Sequence, residues 1–213
     1  TLDINAGLIT LVGENPADAA AVRIVYDNGN PKTRPEGGTY GTSGSATVIV
    51  RRNDFKAKNL TIANDWTEGA DNPESPSANQ AALAIWTLAD RQVYENVRFL
   101  GNQDTVAADC NGTAESLPGR QYFKDCLIEG DVDFIFGRAT AVFDGCEIRS
   151  LTNRIGVGVG SSITAASTDQ NTLGYLFVDT EFSADVETAS GFYLGRPWNS
   201  AISGSAVNAN VVV

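Results

Sequence analysis

The sequence predicts an all-β fold, a right-handed parallel β-helix, and three observations carry that expectation. A four-residue pattern of a turn residue, two residues of mixed polarity and a closing Ile or Phe recurs five times: Asn59-Leu-Thr-Ile62, Asn96-Val-Arg-Phe99, Asp125-Cys-Leu-Ile128, Gly145-Cys-Glu-Ile148 and Asp179-Thr-Glu-Phe182. The closing residues are 37, 29, 20 and 34 residues apart, which suits coils of about 20 residues carrying loops of unequal length rather than the even period of a propeller. Finally, 21 glycines and little long helical periodicity point to short strands joined by tight turns. Strands too short to bury their own faces must stack into a solenoid.

Taken in chain order, residues 28 to 45 and 65 to 79 are rich in Gly, Pro, Ser, Thr and Asn and read as long loops. The apolar run from Asn79 to Trp86 reads as a return to a buried strand or short helix. Period-two alternation places Leu60, Ile62, Val97, Phe99, Phe143 and one of Leu127 or Ile128 in the interior. Two glycosylation sequons occur. The one at Asn59 falls inside a predicted strand and is expected to be silent, while Asn111 sits in a loop. Cys126 and Cys146 occupy equivalent positions in consecutive repeats, 20 residues apart. Adjacent rungs about 4.8 Å apart fall within the Cα separation a disulfide tolerates, so a Cys126–Cys146 bridge is expected, against the alternative of two small buried thiols. A bridge would indicate an oxidising compartment.

Composition narrows the chemistry. At 213 residues and 42% apolar content the chain fits one domain with a substantial core. No stretch approaches the roughly 20 apolar residues of a membrane helix. A net charge of −11 disfavours nucleic acid, which needs a basic face, and favours a neutral or esterified substrate over a uniformly anionic one. The chain has no histidine, so any acid, base or nucleophile must be a carboxylate, Lys, Tyr or Cys. With neither His nor a CxxC pair, no zinc site, metal or cofactor is expected.

Two acidic segments then stand out, Gly101-Asn-Gln-Asp-Thr105 and Gly130-Asp-Val-Asp-Phe-Ile-Phe-Gly137. Asp104 and Asp133 each follow an equivalent ladder position, Phe99 and Ile128, by five residues. They should emerge from neighbouring coils on one face. Two carboxylates held close favour a single shared proton, which is the arrangement of an acid and a nucleophile. The apolar run after Asp133 calls for a cationic partner.

Gln80-Ala-Ala-Leu-Ala, Gln103-Asp-Thr, Asp133-Phe-Ile-Phe-Gly137 and Leu194-Gly-Arg-Pro-Trp198, together with Ile9-Thr-Leu-Val-Gly13, occur in the order and approximate spacing seen in pectin methylesterases. Over residues 8 to 198 the chain resembles that carbohydrate-esterase family, whose fold is the right-handed parallel β-helix. The resemblance implies hydrolysis of the methyl esters of polygalacturonate, releasing methanol. It implies Asp133 as nucleophile, Asp104 as general acid then base, Gln80 and Gln103 as oxyanion donors, and Arg196 as the guanidinium that orients Asp133. Trp198 resembles a sugar platform, Phe136 is core or subsite lining, and Thr42, in preference to Thr39, corresponds to a substrate contact. Each role has a plainer competitor: Gln80 as a core residue satisfying backbone groups, and Arg196 and Trp198 as an ordinary turn.

The resemblance further implies a secreted, extracellular enzyme of the cell wall, acting as a monomer on methylesterified pectin without nucleic acid or membrane. The family's amino-terminal Gly-x-Tyr-x-Glu segment is not visible and only 15 residues follow Trp198, so residues 1–213 are expected to form a single β-helix domain with incomplete ends, lacking the first coils and the C-terminal tail. Residues 199 to 210 are nearly featureless. Two other classes fit the solenoid, a non-catalytic pectin-binding β-helix and a pectin-degrading glycoside hydrolase using paired carboxylates. A calcium-dependent lyase fits less well, because Asp133 stands in an apolar setting.

Overall fold

A computed structural model describes residues 1–66, 79–110, 119–152, 161–169, 171–186, 191–198, 207–208 and 211–213. The expected solenoid is the fold observed, a right-handed parallel β-helix. One sheet stacks Leu2–Ile4, Val48–Val50, Ile85–Thr87, Val106–Ala108, Ile135–Gly137, Ser162–Ala166 and Tyr193–Gly195 in strict chain order, every pairing parallel. Each coil adds one rung.

Of the remaining strands, Thr168–Asp169 and Val207–Asn208 form a separate antiparallel pair, and the others form a bent sheet with two faces. Lys56–Asn64 and Gln92–Leu100 are long enough to cover both, and the later coils divide, as Arg120–Lys124 and Leu127–Gly130 do. The bend falls at the first residue of the recurring pattern. Asn59, Asn96, Asp125, Gly145 and Asp179 all have left-handed backbone, with φ between +47° and +61°. That conformation is disfavoured for side chains with a Cβ except Asn and Asp, which is why the pattern begins with Asn, Asp or Gly. The closing residues form one ladder, Ile62 to Phe99 to Ile128 to Ile148 to Phe182, extended by Ile24.

Leu60, Ile62, Val97, Phe99 and Phe143 are buried as expected, and of the alternative pair Ile128 is the interior residue. A second ladder stacks Tyr94, Phe123, Phe143 and Phe177, with ring centroids 4.7–4.8 Å apart and planes within 14°. The rings inherit the strand spacing, and each stacked pair contributes about 0.5–1.5 kcal/mol beyond its buried area.

The expected disulfide is corrected. Cys126 and Cys146 do occupy adjacent rungs, but both are buried free thiols, as is Cys110. In-register parallel rungs point equivalent Cα–Cβ bonds the same way at about the strand spacing, whereas a bridge draws the two Cβ atoms to about 3.8 Å. The thiols lie against backbone carbonyls, Cys126 on Lys124 O at 3.3 Å and Cys146 on Phe123 O at 3.4 Å, and a hydrogen bond between the two thiols lowers the Cys146 pKa. With the bridge goes the cysteine argument for an oxidising compartment.

The loop over residues 28 to 45 holds a single helical turn, Gly41–Gly44. Residues 80 to 84 run buried into the strand Ile85–Thr87. Asn59 accepts a hydrogen bond from Asn96 Nδ2 at 3.0 Å inside its ladder. The Asn111 sequon, most of the loop from 65 to 79 and most of 199 to 210 lie outside the described residues.

Candidate active site

The outer face of the ordered sheet carries the site. Its inward rungs, including Val48, Ile85, Val106 and Ile135, are filled by the core. The next position along each strand faces out, giving a row of Ile49, Trp86, Ala107, Phe136 and Ala165. Alternating large and small residues leaves hollows between aromatic slabs, and this row forms a second, external apolar cluster packed by Trp198. Phe136, open to either role in the sequence, therefore lines the outer groove, with the Trp198 ring edge-on at 5.6 Å.

Asp104 and Asp133 stand at the corner two residues before these rungs, on adjacent coils. Ile135 pairs with Val106, so the 29-residue offset linking Phe99 to Ile128 also links the two aspartates. Both have left-handed backbone, φ +66° and +49°, so the corner geometry itself favours Asp. Backbone bonds fix the corner, Asp104 N–H to Val132 O at 3.0 Å and Asp133 N–H to Ser162 O at 2.6 Å. Two glycines bracket the second motif for steric reasons. A Cβ on Gly130 would sit 2.2 Å from Phe134 Cβ, and Gly137, at φ +119°, would place one 2.1 Å from Ala108 O.

Asp133 is only 7% exposed. Burying a carboxylate requires a partner, and Arg196 supplies it as a fork, Nε donating to Oδ1 at 2.8 Å and Nη2 to Oδ2 at 2.5 Å. The hydrogen bond to Asp133 raises the Arg196 pKa, burial opposes it, and the charges of Asp133 and then Asp104 add to it. Asp104 thus lies within the field of the same guanidinium.

Asp104, Asp133, Gln103, Arg196, Trp198, Phe136 and Thr42 all line one cavity of about 410 Å³. Thr42 is fixed by Asn30, whose Nδ2 donates to its hydroxyl at 2.9 Å. Gln80 does not line this cavity. It is buried, and its backbone N–H donates to Gln103 Oε1 at 3.1 Å. With Oε1 engaged there, the Gln103 amide is oriented and its N–H₂ end is the one left to face a ligand.

Sequence reasoning missed Trp86 and Asp109, which line the same cavity. Trp86 Nε1 donates to Asp109 Oδ2 at 3.2 Å, and Arg138 forks onto Asp109 while also reaching Cys110 O. The three residues lie on three different coils, so no local motif announces them.

The arrangement holds one clamped carboxylate, a second carboxylate on the adjacent coil, an oriented amide and two aromatic platforms beside one cavity. Comparison with known proteins gives this geometry a context. The family model described as Pectinesterase matches residues 10–209. A pectinesterase of Ralstonia nicotianae is 40% identical over 217 residues, covering 95% of this chain and 52% of its own length. Pectinesterase 31 of Arabidopsis thaliana is 39% identical over 161 residues, covering 74% of this chain and 43% of its own length. The chain spans about half the length of these curated relatives. Among solved structures, the pectin methylesterase from Yersinia enterocolitica superposes with a TM-score of 0.81 at 30% identity, covering 98% of this chain and 65% of that one. A pectin methylesterase in complex with a hexasaccharide has the same TM-score at 28% identity, covering 98% and 62%. On the match over residues 10–209 and the identity to the Ralstonia protein, the chain belongs to the pectinesterase family.

Proposed function

We propose that this chain hydrolyses the methyl esters of pectin, with Asp133 as nucleophile and Asp104 as proton carrier. The observation that carries the reading is the Arg196 fork on Asp133, one coil from Asp104 and beside the same cavity. In this reading the Arg196 fork holds the Asp133 carboxylate in place for attack, and Asp104 on the adjacent coil carries the proton. The Asp133 carboxylate attacks the ester carbon, and the negative charge that develops on the carbonyl oxygen meets the Gln103 amide N–H. The C–OCH₃ bond then breaks as Asp104 donates its proton, releasing methanol and leaving an anhydride between Asp133 and the substrate acyl group. Water loses a proton to Asp104, adds to the substrate carbonyl and frees the Asp133 carboxylate, giving the galacturonic acid product. Gln80, assigned by resemblance to the oxyanion, acts here through its backbone N–H by orienting Gln103.

Phe136 and Trp198 form a corner against which a sugar ring can stack, and Thr42 faces it across the cavity. An acidic chain of pI 4.4 suits nearly neutral methylated polymer and neither nucleic acid nor an anionic membrane. The chain acts as a secreted monomer in the cell wall. Among the described residues, no helix is long and apolar enough to cross a membrane.

Methanol release from methylated pectin tests the reading. Asp133→Asn is expected to lower kcat by at least ~10³-fold and Asp104→Asn by ~10²–10⁴-fold, without new reducing ends in any variant. Parent-like rates in either variant would remove that residue from its role. New reducing ends from the parent would turn the assignment to glycoside hydrolysis, and binding without methanol release to a non-catalytic pectin-binding β-helix.

A further inference from the structure

The strand Lys56–Asn64 ends on a buried polar side chain that no step of the reaction uses. Asn64 is 3% exposed and does not line the catalytic cavity. Its Oδ1 accepts the Trp66 backbone N–H at 3.0 Å, which fixes the other end of the amide as the donor. Three backbone carbonyls converge on that nitrogen: Asn28 O at 2.8 Å, Ser45 O at 3.0 Å and Leu83 O at 3.1 Å. An amide has two protons to give, so two of the carbonyls share one of them.

These carbonyls belong to two separate parts of the groove. Asn28 and Ser45 stand at the two ends of the loop over residues 28 to 45, whose Thr42 and Ser43 line the cavity, while Leu83 lines it from the sheet. One side chain therefore closes the neck of the loop and ties it to the neighbouring coil. From the neck the tie continues to Thr42. Ser45 Oγ donates to Thr42 O at 2.6 Å and accepts the Leu83 N–H at 3.2 Å, and Asn30, which holds the Thr42 hydroxyl, donates its own N–H to Ala81 O at 2.8 Å. Trp66, held by Asn64 Oδ1, presses on the loop as well: a Cβ on Gly29 would lie 2.4 Å from Trp66 Cε2.

We propose that Asn64 is a positioning residue for the reaction, holding the loop over residues 28 to 45 as a wall of the groove and so setting affinity for the polymer rather than the rate of the chemical step. The inference rests on the pectin reading of the cavity. The only helical turn in the loop, Gly41–Gly44, has none of its four residues buried. Apolar burial thus does little to seat the turn, and a single turn is too short to hold its own shape, so its place depends on the hydrogen bonds at the neck. A wall in place only about a tenth of the time would weaken apparent binding about tenfold, while the complex that forms reacts at the parental rate.

Methanol release from methylated pectin and trypsin cleavage of the folded chain after Lys32, inside the loop, test the proposal together. Asn64→Ala is expected to raise KM about tenfold with kcat within about threefold of the parent, and to speed cleavage at Lys32 at least about tenfold. Thr47→Val is the control. Thr47 is as buried as Asn64, but its hydroxyl donates to Ala63 O at 2.9 Å and not to the loop, so the variant should lose stability and keep the parental KM and cleavage rate. Ser45→Ala weakens the same tie and should move KM and cleavage in the same direction by less, which decides the matter if Asn64→Ala does not fold. A parental KM in every loop variant that folds would overturn the proposal, whether or not cleavage quickens. So would a fall in kcat at unchanged KM, or an equal rise in KM in Thr47→Val, which would reduce the effect to lost stability. If the parent released no methanol from any pectin, the esterase reading would fail, while the trypsin rates would still decide whether Asn64 holds the loop.

Discussion

Arg196 grips Asp133 from two coils away. The aspartate precedes the strand Ile135–Gly137, the arginine follows Tyr193–Gly195, and Ser162–Ala166 lies between them. The intervening rung places the small Ala165 under the guanidinium's path, since Ala165 is the residue next to Thr164, which pairs with Gly195. The clamp therefore depends on register as much as on the arginine itself.

Arg196→Lys keeps the charge but cannot fork, and kcat for methanol release should fall at least roughly tenfold with the fold intact. Gly195→Ala should resemble it without touching the charged pair. A Cβ there would lie 2.3 Å from Thr164 Oγ1, whose hydroxyl donates to Leu194 O at 2.9 Å. Adding Thr164→Ala removes that atom, so the double variant should recover part of the lost rate. No recovery would mean that the register around Gly195 does not set the clamp.

Gln103 should carry the oxyanion. Gln103→Ala is expected to lower kcat by ~10²–10³-fold with little change in KM, because the donor acts on charge that develops only in the transition state. Gln80→Ala leaves its backbone N–H in place and should cost far less. A loss at Gln80→Ala as large as at Gln103→Ala would restore the Gln80 side chain to the oxyanion site.

Five of the bends were legible in the sequence because geometry restricts them: left-handed backbone favours Gly, Asn and Asp, so Asn59, Asn96, Asp125, Gly145 and Asp179 announce them. The Asp104 and Asp133 alignment followed from the same ladder. Trp86 was not legible, because what makes it part of the groove is its neighbour Ala107 on the next rung, 21 residues on, and then Phe136 a further 29. Those offsets depend on loop length, and no pattern within a coil records them. The cysteines show the opposite error. Their stacking was read correctly, but equivalent Cβ atoms at the strand spacing stand farther apart than the about 3.8 Å of a bridge, and both cysteines are free thiols.

Trp86 should act on affinity. It pairs with Ala107 on the next rung, and its Nε1 is tied to Asp109, which Arg138 holds. Trp86→Ala is expected to raise KM for pectin by roughly tenfold, in line with loss of an aromatic platform, while kcat changes little. Trp86→Phe keeps a platform and drops the hydrogen bond, so it separates the two contributions. A kcat defect in Trp86→Ala at saturating substrate would place the residue in the chemical step instead.

Away from the site, Asp90 ties one corner of the solenoid together. Its carboxylate accepts Arg120 N at 2.8 Å, Arg120 Nε at 2.9 Å, Arg120 Nη2 at 2.6 Å and Arg91 Nη1 at 2.9 Å, with the side chain 3% exposed. The Arg120 hydrogen bond, chief among these contacts, holds the Asp90 pKa well below the carboxylate range, against the opposing cost of burial. A depressed folded-state pKa means that this stability is fully present above the unfolded value of about 4 and is lost as pH falls toward the folded one. Asp90→Asn should therefore destabilise the chain by about 2 kcal/mol at pH 7, discounted because both arginines are largely exposed. Urea midpoints of parent and variant should converge as pH is lowered from 7 to 3. A gap that stays constant across that range would mean the carboxylate charge contributes nothing and only the shape of the side chain matters.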